Sequence, residues 1–274
     1  MILMAKKEEQ KSSSTVTSSS SWTVTWTQRP SFTKPILIEG LPGIANVGKI
    51  SIDFIVDQRR AKKVADFFSF DLPHMVFVKE DNLVALPRLQ LFHSKSAKHG
   101  DLLFLVGDVQ PNNERSCYEF CSLIIDLAKE LGVTQIITTG GIGLPKVPKN
   151  PKVYCTANDA RLIKEFSQMP NVDANTHGVV GPIVGVTGLL VGLAAQHKIP
   201  AIALLAETFS HPMYLGMKSA RALLAVLNER FSFKLNMNNL DSEISDIENE
   251  IVQRTKELSQ VEKVQKDKRL NYIG

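Results

Sequence analysis

Residues 35–51 read P-I-L-I-E-G-L-P-G-I-A-N-V-G-K-I-S, and the fold turns on how this stretch is read. An apolar run, Ile36-Leu37-Ile38, breaks into Gly40-Leu41-Pro42-Gly43, and a helical pattern begins near Asn46. Strand, glycine turn and helix start make the first half of a βαβ unit. The same residues come close to a phosphate-binding loop, with Gly43, four residues, then Gly48-Lys49. Such a loop needs Ser or Thr after the lysine, to place a hydroxyl on magnesium. Here that position is Ile50, and Ser51 comes one residue late, turned about 100° around a helix. Pro42 precedes the first glycine, and Asp108 is the nearest candidate for a magnesium-holding carboxylate. The stretch therefore reads as a tight strand-to-helix turn, with Gly48 where the helix packs closely.

Further along, Leu102–Val106, Ile136–Thr139 and Ala201–Leu205 are continuous apolar runs, as in strands covered on both faces. Val64–Phe70, Val76–Val78 and Val153–Thr156 read as further strands, and Leu83–His93 as a hairpin arm or bent edge strand around Pro87. Helical spacing covers Asn46–Arg60, Ser116–Leu131 with Gly132 as its stop, Asn158-Asp159 to Gln168, and Leu215–Phe231. Val179–Gln196 carries Gly181, Gly185, Gly188 and Gly192 mostly three or four apart, which predicts one helix with a smooth face. Strands and helices alternate throughout. That predicts an α/β fold over residues 35–235, a three-layer α/β/α sandwich with a mostly parallel or mixed central sheet.

Two segments flank this core. Residues 1–34 form a flexible Ser/Thr-rich N-terminal arm, too poor in apolar surface to order itself. Within it Trp22-Thr23-Val24-Thr25-Trp26 alternates with strand period and could add an edge strand with both tryptophans on one side, either as an arm that docks locally or as a strand that binds a partner. Residues 236–274 predict a C-terminal helix with a heptad stripe: Leu240, Ile244, Ile247, Ile251, Leu258 and Val261. Acidic residues crowd its first turns, and Lys263, Lys266, Lys268 and Arg269 crowd its end, as the helix dipole favours. After it, Leu270-Asn271-Tyr272-Ile273-Gly274 is an apolar, aromatic tip on a solvated stem, which reads as a ligand for another protein.

Composition narrows the function classes. The 274 residues are 43% hydrophobic and 22% charged, which suits an ordinary globular protein. A net charge of +4, with 7% aromatics and no basic run interleaved with them, argues against nucleic acid. Charged residues from Lys6 onward argue against a secretory signal, and the Gly-laced run Val179–Ala195 is a poor membrane span. The chain is expected in the cytoplasm. Cys117, Cys121 and Cys155 form no zinc pattern; the first two share a helix face and read as core thiols. The six histidines are scattered, and no nucleophile elbow occurs. No catalytic residue, cofactor or metal is expected. The best enzyme-like signal is topological: Glu39, Asp108, Thr139 and Glu207-Thr208 all fall at C-terminal strand ends, where open α/β sheets bind ligands.

In combination, the landmarks resemble the archaeal proteasome assembly chaperone family (proteasome assembly chaperone 2-like proteins). They are G-L-P-G-I-A-N-V-G from Gly40, G-D-V-Q-P from Gly107, I-I-T-T-G-G-I from Ile136 and P-K-V-Y from Pro151. G-P-I-V-G-V-T-G-L-L-V-G-L-A from Gly181 and I-P-A-I-A-L-L-A-E-T from Ile199 complete the set, with the helical extension. The resemblance covers residues 35–274. It implies a fold related to purine nucleoside phosphorylases without their catalytic residues. It implies a homo-oligomer that binds the α subunits of the 20S proteasome, with a paralogous chaperone as a further candidate partner. Members dock through a hydrophobic–tyrosine–any-residue ending. Here Tyr272 stands third from the end and follows Asn271, so the strict ending is not met and binding is implied rather than gate opening. The implied docking residues are Leu270, Tyr272, Ile273 and Gly274, with Lys268 and Arg269 facing an acidic ring surface.

The sequence supports two readings. The first is a non-enzymatic chaperone or adaptor acting through its tail. The second is a nucleotide- or nucleoside-binding enzyme using a crevice bounded by Gly40, Pro42, Gly43, Gly48, Asp108 and Glu207. The Gly-rich stretch 181–192 and the hairpin 83–93 are the candidates for subunit packing.

Overall fold

A computed structural model of the chain describes residues 15–17, 21–79, 82–96, 98–111, 113–238 and 240–242. The chain divides into two compact units, Met1–Lys234 and Leu235–Gly274. Apart from Leu240, the heptad stripe lies outside the described residues, and so does the whole docking tail.

The first unit carries, in chain order, β1 (Thr15–Thr17), β2 (Trp22–Trp26), β3 (Ile36–Gly40), α1 (Val47–Gln58), β4 (Lys62–Ser69), β5 (Phe77–Val78), β6 (Val84–Ala85), β7 (Leu89–Ser96) and β8 (Gly100–Gly107). It continues with α2 (Glu114–Glu130), β9 (Gln135–Leu144), β10 (Val153–Ala157), α3 (Ala160–Phe166), β11 (Val172–Asp173), α4 (Val186–Gln196), β12 (Ala201–Phe209) and α5 (Met217–Phe231). Among the described residues ten strands form one mixed sheet, in the order β1-β2-β4-β7-β8-β3-β9-β12-β10-β11. Its centre is parallel: β3 pairs with β8 and β9, and β9 with β12. From β8 outward through β7, β4 and β2 every pairing is antiparallel. β5 and β6 form a separate two-stranded ribbon.

Strand alternation sorts the core into two layers. Leu37 stands level with Leu103 and Ile136, and these side chains pack with Phe120, Ile124 and Leu190 of α2 and α4. The intervening residues Ile38, Phe104 and Ile137 are equally buried, on the face that α1 and α5 cover. The α/β/α sandwich expected from the alternation is the fold.

The pattern Trp22–Trp26 pairs with β4, and its two tryptophans are buried; the Trp22 ring packs 4.5 Å from that of Phe120, tilted by 42°. Asp159 caps α3 by accepting from the Arg161 amide, and Gly132 ends α2 with φ 70. Three boundaries differ from the pattern reading. Of the two readings for 83–93 the hairpin arm holds, since β7 pairs antiparallel with β8, but the strand is interior rather than an edge, because β4, β2 and β1 continue the sheet beyond it. β9 runs on through Gly140–Leu144, because β12 stays paired alongside it as far as Phe209. The stretch 179–196 is not one helix. Pro182 has no amide to donate, Gly185 turns left-handed at φ 83, and α4 starts only at Val186. Gly181 and Gly185 therefore lie before the helix. A Cβ at Gly188 would overlap the carbonyl of Ile183, so the chain's own approach to α4 covers that part of the glycine face.

Candidate functional site

The turn after β3 is built for close approach. A Cβ at Gly40 would overlap the Ile52 side chain, and one at Gly48 would lie 2.5 Å from the Thr139 carbonyl oxygen. These two glycines let α1 sit directly on β3 and β9. Gly43 does not share that role. Its φ of −155 is ordinary extended backbone, and a Cβ there would meet only Gln110 at 4.0 Å. The left-handed residues of the turn are Ala45 and Asn46, at φ 51 and 54.

The phosphate-loop likeness dissolves in the same place. Lys49 Nζ donates to the Gly107 carbonyl at 2.9 Å and to Asp53 at 2.7 Å, with Asp108 at 3.9 Å. Burial pushes the Asp53 carboxyl up, against the pull of Lys49. Ser51 is buried, and its hydroxyl donates to the Val47 carbonyl at 2.8 Å. Lys49 lines an open cavity of about 420 Å³ with Arg60, Arg88, Asp53 and Asp108, where its ammonium is already paired with the two acids, and Ser51 does not reach it. Both tie α1 to its surroundings.

Two polar side chains, Glu39 and Gln110, hold the strand ends together. Glu39, wholly buried at the end of β3, accepts from the Leu41 amide at 2.9 Å, the Thr187 hydroxyl at 3.3 Å and the Thr139 amide at 3.4 Å. Burial outweighs these bonds and pushes its carboxyl up to about 7. Gln110, from the G-D-V-Q-P segment, donates to the Pro42 carbonyl and accepts from the Val186 amide at 3.0 Å. It thus supplies the first turn of α4 with an acceptor that Gly185, having no side chain, cannot give. The sequence signal for Glu39 is its place at the C-terminal end of an apolar strand, where it reads as enzyme-like, whereas its bonds make it an internal brace. For Gln110 there is none beyond the motif itself.

Between these supports lies a cleft of about 360 Å³ at the C-terminal ends of β3, β9 and β12. Gly43, Gln110, the Gly140–Gly143 stretch, Thr187 and the apolar segment Val179–Val184 line it. The lining holds no acid, base or thiol. Glu39 reaches it only through the Thr187 hydroxyl, so the cleft suits an apolar or backbone group rather than proton transfer. Asp108 and Glu207 do not join it. Asp108 accepts from the Arg88 amide and guanidinium at 3.2 and 3.1 Å. Glu207 accepts from the Lys152 amide at 3.0 Å and the Tyr154 hydroxyl at 3.3 Å, toward β10. β3 and β9 stand between the strands that end in these two acids, a separation of about 14 Å at ordinary strand spacing. The crevice read from the sequence is therefore three separate places.

Cys117, Cys121 and Cys155 are free thiols, with Cys121 in the core. Among the described residues no group of three His, Cys, Asp or Glu side chains is placed to hold a metal, and no helix is long and apolar enough to cross a membrane.

Fold and cleft together define an α/β/α protein with a mixed ten-stranded sheet and a glycine-lined strand-end cleft without acid or base. The chain belongs to the PAC2 family, whose model matches residues 37–254. It is 28% identical over 214 residues to protein MJ1210 of Methanocaldococcus jannaschii, covering 78% of this chain and 80% of that one. Among solved structures it is similar to Pyrococcus furiosus PbaB, described as an archaeal proteasome activator, with TM-score 0.79 and 28% identity over 86% of this chain and 99% of PbaB. Its fold also matches P. furiosus PbaA, described as an archaeal homolog of proteasome-assembly chaperone, with TM-score 0.70 and 20% identity over 91% of this chain and 99% of PbaA.

Proposed function

We propose that the chain is a non-enzymatic proteasome-assembly chaperone or adaptor that self-associates and binds the α-subunit ring of the 20S proteasome through residues 270–273. The observation that carries this reading is the likeness to PbaB over nearly the whole of that protein. The polar interior supports it from the other side. Lys49 and Asp108 pair with each other and with groups of the chain, Glu207 is engaged elsewhere, and the lining of the strand-end cleft contains no acid or base.

In this reading Leu270, Tyr272 and Ile273 are the anchors, and Lys268 and Arg269 meet an acidic ring surface. A tail with so few anchors binds weakly alone. Several tails on one assembly raise the effective concentration and convert weak contacts into avidity. The test is capture of recombinant α rings by the full chain and by a variant lacking residues 270–274. The full chain is expected to capture rings and the variant to lose them; equal capture removes the tail from the mechanism. A thermal-shift screen with ATP, GTP and nucleosides is expected to show no stabilisation. A clear shift with any of them reinstates the enzyme reading.

A further inference from the structure

β9 outruns β3, and the overhang leaves a strand edge open. On one side β9 is paired along its length with β12, from Ile136 opposite Ala201 to Leu144 opposite Phe209. On the other side β3 accompanies it only as far as Thr138, opposite Glu39, and its chain then leaves the sheet for α1. Alternation fixes which main-chain groups are left over. In a parallel sheet one strand residue sends its N–H and C=O to one neighbour, and the next residue sends its own to the other. The Ile136 amide donates to the Pro200 carbonyl at 2.9 Å, and the Leu144 carbonyl accepts from the Ser210 amide at 3.0 Å, so the even-numbered residues face β12. The Thr139 amide points the opposite way, to the Glu39 carboxyl at 3.4 Å. Gly141 and Gly143 follow Thr139 in phase. Among the described residues neither finds a hydrogen-bond partner on that side. Gly143 is exposed and Gly141 half-buried.

This edge borders the cleft at the C-terminal end of β3. It presents two donors and two acceptors in line, with the two residues about 6.6 Å apart at ordinary strand rise. An extended peptide carries its own main-chain groups at the same spacing, and three of its residues engage all four. A rounded small molecule meets one or two of them and leaves the rest. The glycines also keep side chains out of the path of an incoming backbone. Gly141 is required by the fold as well, since a Cβ there would lie 2.7 Å from the Ile44 carbonyl oxygen.

The walls set the side chains that such a peptide carries. Ile44, before α1, lines the cleft from one face of the sheet, and Val179–Val184, before α4, from the other. Successive residues of an extended chain point to opposite faces, so aliphatic side chains find an apolar wall on either side. No charged side chain lines the cleft. A charged residue entering it is stripped of water without gaining a partner.

We propose that the overhanging edge of β9, at Gly141 and Gly143, is a peptide-binding site that takes an extended, uncharged, aliphatic segment of another protein by strand addition. The segment occupies the place beside β9 that β3 vacates. The site is distinct from residues 270–273, and its occupation does not depend on the ring-binding reading above.

The experiment uses the full chain and two synthetic probes. The first is the fluorescein-labelled, amidated pentapeptide Ser-Val-Ala-Val-Ser. The second is the same peptide N-methylated at its three central residues, which keeps every side chain but removes the donors. Hydrogen exchange, read by mass spectrometry over residues 139–144, is expected to show fast amides at Gly141 and Gly143 in the free chain, and both slow when the first probe is added. Fluorescence anisotropy is expected to saturate with the first probe and to show binding weaker by about tenfold or more with the second. Gly43→Leu and Gly181→Leu fill the cleft where the fold has room: a Cβ at Gly43 meets only Gln110 at 4.0 Å, and one at Gly181 meets nothing within 4 Å. Each is expected to weaken the first probe about tenfold with unchanged far-ultraviolet circular dichroism. Either variant keeps the test decisive if the other folds poorly. The inference is overturned by protected amides at both glycines in the free chain, by no saturation up to millimolar probe, by equal binding of the two probes, or by wild-type binding in both variants.

Discussion

The first turn and the β5–β6 ribbon reverse what their sequences advertise. Residues 40–51 carry glycines, a lysine and a serine in nearly the order of a catalytic loop, yet Lys49 and Ser51 bond inward. Residues 68–86 show no motif, yet they leave large apolar side chains in water. Residue types that look chemical are engaged by the fold, and residue types that look like filler are left without neighbours. What separates the two regions is the state of their partners. A group already bonded within the chain has little left for a ligand, while an uncovered apolar face still gains about 25 cal/mol per Å² from whatever covers it.

The sharpest way to break this comparison is to crowd the first turn. Gly48→Val forces a branched side chain against the Thr139 carbonyl, and a loss of about 3 kcal/mol or more in urea unfolding is expected. A loss below about 1 kcal/mol would mean that the helix does not press on β9.

The next effect is a pH dependence. The folded Glu39 carboxyl, pushed up to about 7 by burial, holds its proton more tightly than the unfolded carboxyl near 4.5. The native state therefore binds more protons between those values, and stability falls as pH rises through that window, then levels off. The full span is about 3 kcal/mol. Glu39→Gln, which keeps the shape of the protonated acid, is expected to flatten this slope; an unchanged slope assigns it to other groups.

Gln110→Ala leaves the Val186 amide and the Pro42 carbonyl without their partner, and a loss of about 1–3 kcal/mol is expected. Lys49→Ala removes a partly exposed ion pair and one carbonyl contact, so about 1 kcal/mol is expected, with ring capture unchanged. Loss of capture at full stability would return the first turn to chemistry. The smallest effect belongs to the ribbon side. Phe70→Ser is expected to change the unfolding free energy of the isolated first-unit fold by less than about 0.5 kcal/mol, because the ring is almost wholly in water.

Much of the fold was legible because its central strands announce themselves. Ile36–Ile38, Leu102–Val106 and Ala201–Leu205 are apolar on both faces, and only a sheet covered by helices accommodates such runs. The start of α4 was misread because glycines at helical spacing look helical; Pro182 and the left-handed Gly185 decide otherwise. Gly43 holds the place of a phosphate loop's first glycine, but its extended backbone suits any residue, and the steric need falls on Gly40 and Gly48 instead. The site was harder. Glu39 and Gln110 act on residues 100 and 76 positions away. No local pattern encodes such partners. The docking tail lies outside the described residues, so the resemblance alone supports that part of the reading.

Gln110 also bears on the order of events in folding. Its two bonds reach back 68 residues to Pro42 and forward 76 to Val186. Neither can close until β3, β8 and β9 are side by side, since closing loops of that length is unfavourable without the strands between them. The clasp is therefore expected to close late, after the rate-limiting step. Its removal is expected to speed unfolding while leaving the refolding rate nearly unchanged. One glutamine in a loop thus acts mainly on how long the native state lasts, and little on how quickly it forms.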